Sequence, residues 1–210
     1  MQEAQYQEYG VSRLLAFSDG VFAFAITLLV TTLSFPDLTR SPSDGQIVHL
    51  ILSRLPNFYS YVFSFYMVAV YWVAHHRTFR YIIRFDNRLL WINVTLLLFI
   101  AFLPFPTSLV GRYGNSSVIT AFYAVTLSMV SLLTILLWRY ASSSHRLIPQ
   151  DLDQKIITYL SLRGIITFAV FFISIGLSFI NPGLARVSWL ATFFIRPIFL
   201  RKYVRDYEWL

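Results

Sequence analysis

Residues 13–35 read RLLAFSDGVFAFAITLLVTTLSF, an apolar run with one acid, Asp19, that stops at Pro36 and gives way to Asp37 and Pro42. A helix of about 20 residues crosses the hydrocarbon core of a bilayer, and proline cannot continue one. The stretch is therefore a first membrane helix. The remaining sequence repeats the pattern. Residues 56–79 form a second, aromatic-rich span that opens on Pro56 and closes on His75, His76 and Arg77. Residues 86–110 form a third, with Pro104 and Pro106 expected to kink or unwind its far end. Residues 117–138, 156–180 and 184–200 complete the set, the turn signal Asn181-Pro182-Gly183 separating the last two.

Composition agrees with that reading. The 210 residues are 57% hydrophobic and 13% charged, about half the charged share of a water-soluble domain. The sequence is that of an all-α integral membrane bundle of six helices, one domain over residues 1–210. With zero cysteines, disulfides, thiolate metal sites and cysteine nucleophiles are excluded. The net charge of +7 belongs to membrane-flanking loops rather than to nucleic-acid binding. The opening MQEAQYQEYGVS has no basic residue, unlike a cleaved signal peptide, so the first apolar segment is expected to be retained.

Basic residues also orient the chain, because Lys and Arg are retained on the cytoplasmic side. Arg13, Arg77, Arg80, Arg84, Arg88, Arg139, Arg146, Lys155, Arg196, Arg201, Lys202 and Arg205 fall on one side, and only Arg40, Arg54, Arg112 and Arg186 on the other. Arg163 lies within a span. Both termini are thus expected in the cytoplasm, and their lying on one side agrees with an even number of spans. The two halves show no internal repeat, which argues against a transporter of inverted halves.

Enzyme motifs such as G-x-S-x-G, H-E-x-x-H and the phosphate-binding P-loop are absent, so no enzymatic activity and no cofactor is expected. His75 and His76 are adjacent, about 100° apart on a helix, and do not form a metal-chelating pair. Asp19 demands the most explanation: a carboxylate within a span costs a few kcal/mol and is normally paired. Ser18, Trp72, His75 and Asn93 lie at a similar depth and are its candidate partners. Two readings stay open, a polar network that locks helices together and a proton relay through Asp19 and His75. At 100° per residue, Phe17, Gly20, Thr27, Leu28, Thr31 and Phe35 fall within about 60° of Phe24, while Asp19 lies about 140° away. Ala16, Gly20 and Ala23 provide small surfaces for close helix contact.

Arg13, Phe17, Ser18 and Asp19, read as R-x-x-x-F-S-D and followed by GVFAFAITLLV, closely resemble the signature opening of prokaryotic relatives of the lysosomal TMEM175 potassium channel. Trp72, His75, Arg77 and Phe79 resemble that family's W-x-x-H-x-R-x-F, and DNRLLWINVTLLLFIAFLPFP its third helix. The likeness covers about the first half of the chain.

The resemblance implies a homotetramer, in the plasma membrane of a bacterium or archaeon, whose first helices line one central pore. It implies passive conduction of potassium over sodium without a glycine-rich carbonyl filter, and no tightly bound metal. Arg13, Phe17, Ser18, Asp19, Trp72, His75 and Asn93 are expected to form the structural network. Phe24 takes the family's constriction position, usually a bulky aliphatic residue. Thr27 is similar to a threonine tied to potassium preference, with transient potassium expected beside it, and Leu28 and Thr31 complete the lining. The alternative is a proton leak or proton-coupled transporter using Asp19 and His75.

Overall fold

The computed structural model describes residues 2–33 and 43–193, and all regular structure among them is helical. The α-helices are α1 (Gln2–Leu28), α2 (Asp44–Ser53), α3 (Leu55–Phe79), α4 (Asn87–Phe102), α5 (Pro104–Tyr113), α6 (Ser117–Ser142), α7 (Gln154–Ile180) and α8 (Pro182–Trp189). Residues 34 and 35 of the expected first span, residues 194–200 of the expected sixth, and the basic tail lie outside the described residues.

Local chemistry fixes where the helices begin. The Asp86 side chain accepts from the Leu89 amide at 2.8 Å and caps α4, while Asn181 accepts from the Gly183 and Leu184 amides and caps α8. Ser43 and Gln46 form a reciprocal capping box on α2. The third apolar stretch is interrupted at Leu103, because Pro104 has no amide hydrogen to extend the ladder; α5 then starts with proline in its first turn. The end of α1 tightens into a 3-10 turn over Leu29–Leu33.

Among the described residues, four stretches are long and apolar enough to cross a membrane: Gln5–Leu33, Asn87–Tyr113, Ser117–His145 and Gln154–Ile180. The 25 residues of α3 are comparable in length, with Tyr59, Tyr61, Tyr66 and Tyr71 lowering its hydropathy. At the centre stands α6, with 61% of its apolar window buried inside the protomer, against 28% for α1. One core layer joins Phe22 and Ala25 of α1 and Leu29 of its 3-10 extension to Met67 and Tyr71 of α3, Leu96 and Ile100 of α4, and Tyr123 and Leu127 of α6. A second surrounds Leu14, Phe79, Leu89, Trp138 and Leu160.

Polar side chains tie these layers. Ser64 lies 2.7 Å from the Tyr123 hydroxyl and accepts from Thr107 at 2.9 Å, linking α3, α5 and α6. Trp189 of α8 donates its indole N–H to Ser174 of α7 at 2.9 Å. Where lipid replaces water, such bonds and close packing carry helix association that the hydrophobic effect does not supply. The result leaves α1 at one edge, packed on α3 and α4 along a single face.

Candidate functional site: the two faces of the first helix

Val11, Leu14, Ser18, Phe22, Ala25, Leu29 and Thr32 are buried and recur at helical spacing, which defines the inward face of α1 and its 3-10 extension. Ser18 is completely buried there and cannot remain unpaired without cost. Its hydroxyl donates to the Leu14 carbonyl at 2.8 Å and accepts from Asn93 Nδ2 at 2.9 Å. Asn93 Oδ1 lies 2.8 Å from His75 Nε2. With the amide hydrogens committed to Ser18, that oxygen must accept, so His75 carries its proton on Nε2. The imidazole is stacked on Phe79 at 4.3 Å and tilted against Phe22 at 5.4 Å. His75 Nδ1 is buried without a hydrogen-bond partner, as suits a ring held for packing.

Asp19 is half-buried at the rim of this network, and its Oδ1 accepts from Trp72 Nε1 at 2.8 Å. Five of the residues expected in the network are thus brought together: Ser18, Asp19, Trp72, His75 and Asn93. Arg13 and Phe17 are not. Both are exposed on the protomer, and the Arg13 guanidinium lies 5.8 Å from the centroid of the Tyr9 ring. Among the described residues no cluster of His, Asp or Glu could hold a metal ion.

The opposite face of α1 is open. Phe17 is 57% and Phe24 62% exposed, Gly20, Thr27 and Thr31 are exposed with them, and Leu28 is half-buried beside them. Thr27 donates its hydroxyl hydrogen to the Phe24 carbonyl at 2.8 Å, and Thr31 donates to the Leu28 carbonyl at 2.7 Å. Each hydroxyl proton is therefore spent within the helix, and the oxygen lone pairs remain available to an electropositive species on the exposed side. In the 3-10 turn residues three apart eclipse, which sets Thr31 in line with Leu28. Ala16 and Ala23, also exposed, lie to one side of the stripe and leave room for a closely packed helix.

Sequence reasoning missed the aromatic walls around His75. Phe79 was visible only as a member of the W-x-x-H-x-R-x-F pattern, four residues after His75 and hence on its face of α3. Phe22 had the corresponding signal on α1, four residues beyond Ser18.

A potassium channel of Chamaesiphon minutus is 32% identical over 82% of this chain and 86% of its own length, and one of Streptomyces collinus is 30% identical over 82% and 84%. The chain belongs to the TMEM175 family. The family's sequence model, described as endosomal/lysosomal potassium channel TMEM175, matches residues 13–104, the part that contains every residue of the network and the stripe. The crystal structure of a lysosomal potassium-selective channel TMEM175 homolog from Chamaesiphon minutus superposes with a TM-score of 0.80 at 26% identity, covering 92% of this chain and 99% of that one. The zebrafish TMEM175, named as an endosomal/lysosomal proton channel, is 26% identical over 68% of this chain, which spans 27% of it.

Proposed function

We propose that the chain is a passive potassium channel that assembles as a homotetramer, with the Phe24 stripe of four α1 helices lining a central conduit. Each copy crosses the plasma membrane six times, over residues 13–35, 56–79, 86–110, 117–138, 156–180 and 184–200 of one domain, with both termini in the cytoplasm. The observation that carries this reading is the division of α1 into two faces. One is buried among Ser18, Phe22, Ala25 and Leu29, while the other exposes Phe17, Phe24, Thr27 and Thr31 along a membrane-length helix. Membership in a channel family and the names of the bacterial relatives support potassium as the ion.

In this reading Phe24 forms the narrowest ring, which resists a hydrated ion sterically and by dewetting. Thr27, one turn away, offers hydroxyl oxygens that replace part of the hydration shell, and Leu28 and Thr31 line the conduit beyond it. Net flow follows the electrochemical gradient, because no nucleotide-binding motif occurs in the chain. The Ser18–Asn93–His75 chain and the Asp19–Trp72 bond hold the helices behind the stripe.

The vertebrate relatives named as proton channels motivate the second reading, proton conduction. A relay through Asp19 is opposed by its partner: the Trp72 indole nitrogen donates and cannot accept a proton. Liposomes containing the purified chain, assayed in parallel for potassium, sodium and proton flux, separate the readings. Potassium flux exceeding sodium flux from a complex of tetrameric mass supports the proposal; proton flux alone, or a monomeric mass, refutes it. External labelling of a tagged C-terminus would refute the orientation.

A further inference from the structure

The exposed stripe does not end at Phe17. At 100° per residue, Tyr6 and Arg13 lie within about 20° of Phe24 and Tyr9 within about 60°, and all three are exposed. Arg13 therefore shares the azimuth of the constriction residue, about 16 Å from it along the axis at 1.5 Å per residue. Tyr9 lies one turn further toward the N-terminus, and its ring holds the guanidinium 5.8 Å from its centroid. The acids of α1 nearest in sequence point elsewhere. Asp19 accepts from Trp72, and Glu8 lines a groove with Val11, Leu15, Ile82 and Arg84.

We propose that Arg13 sets the rectification of the channel, as a ring of four positive charges around the mouth of the conduit on the α1 N-terminal side. This rests on the reading of the Phe24 stripe as the pore lining. The role differs from membership in the Ser18–Asn93–His75 network, from which the structure places Arg13 apart. Its physical basis is local ion concentration. Four unit charges about 10 Å from an axis, in 0.1 M salt where the screening length is also about 10 Å, lower the cation concentration there by about threefold. Their field has decayed at Phe24, so the barrier itself is unchanged. Potassium then enters less readily from the Arg13 mouth than from the other, and current toward that mouth exceeds current away from it. At 1 M salt the screening length falls to about 3 Å and the asymmetry disappears.

The test is single-channel recording of the full chain in planar bilayers under symmetrical KCl, comparing wild type, Arg13→Gln, Arg13→Lys and Phe24→Ala. At 0.1 M the wild type and Arg13→Lys are expected to pass about threefold more current toward the Arg13 mouth, and Arg13→Gln to pass equal currents both ways. At 1 M all are expected to be symmetrical. If Arg13→Gln keeps the wild-type asymmetry while Phe24→Ala raises conductance, the pore reading stands and the Arg13 proposal falls. If Phe24→Ala also leaves conductance unchanged, the pore reading falls and takes the proposal with it. Should Arg13→Gln fail to assemble, the wild type decides: asymmetry persisting at 1 M KCl overturns the proposal.

Discussion

Trp72 donates its indole hydrogen to Asp19 across 2.8 Å, so a carboxylate within the first apolar span is held by a neutral donor on α3. A hydrogen bond to a charged group contributes about 1.5–3 kcal/mol, and partial exposure of the indole places this one at the lower end. Trp72→Phe retains most of the ring and removes only the donor. It is expected to lower the stability of the detergent-solubilised protein by about 1–2 kcal/mol, read as a shift in thermal unfolding. Asp19→Asn keeps an acceptor oxygen and is expected to cost less. The double variant should cost little more than Trp72→Phe alone; fully additive losses would show that the two side chains do not act as a pair.

Asn93 carries a heavier load, since it joins α4 to both other helices while fully buried. Asn93→Ala removes the acceptor of His75 Nε2–H and the donor to Ser18 at once. Each buried group left unpaired costs about 1–3 kcal/mol, so the loss is expected to reach about 2–4 kcal/mol. Ser18→Ala leaves only the Asn93 amide without a partner, because the Leu14 carbonyl retains its helical bond, and is expected to cost about half as much. Thermal unfolding of the two variants checks the order. Ser18→Ala proving the more damaging would mean that the hydroxyl, and not the amide, organises the junction.

How much of this was legible in the sequence follows from the range of each interaction. Asp19 announced itself because a carboxylate in a span must find a partner, and the depth of Trp72, His75 and Asn93 could be estimated by counting residues. The donor identities could not be read, because they depend on how α3 and α4 rotate against α1. The break at Pro104 was readable, being a local effect of a missing amide. The α2 helix was not anticipated, although Ser43 and Gln46 have the spacing of a capping box. It lies in the stretch between the first two expected spans, which opens on Pro36, Asp37 and Pro42. Arg13 stands apart from the bonded side chains of the protomer for a related reason: R-x-x-x-F-S-D is contiguous in sequence, yet at 100° per residue its members point to different faces.

Phe24 provides the most direct test of the conduit. Truncation to alanine removes four rings from the proposed constriction without touching the buried face of α1, where Phe22 and Ala25 pack. Phe24→Ala is expected to raise potassium flux in liposomes by roughly an order of magnitude, the effect of lowering a barrier by about 1.4 kcal/mol. Tetramer yield is expected to be unchanged. Unaltered flux would show that Phe24 does not set the barrier, and unaltered flux together with unaltered rectification in Arg13→Gln would remove the stripe from the pore lining.

Thr27 tests selectivity apart from conductance. Its hydroxyl hydrogen is committed to the Phe24 carbonyl, so only the oxygen is left to face an ion, and potassium sheds its hydration shell at lower cost than sodium. A ring of such oxygens therefore favours potassium, although less strongly than a filter with many carbonyls around each ion. Thr27→Ala is expected to lower the potassium-to-sodium permeability ratio, measured from reversal potentials, while potassium current persists. Thr27→Ser restores an oxygen that can make the same backward bond and is expected to recover most of the ratio. Equal ratios for alanine and threonine would show that the hydroxyl serves only the helix.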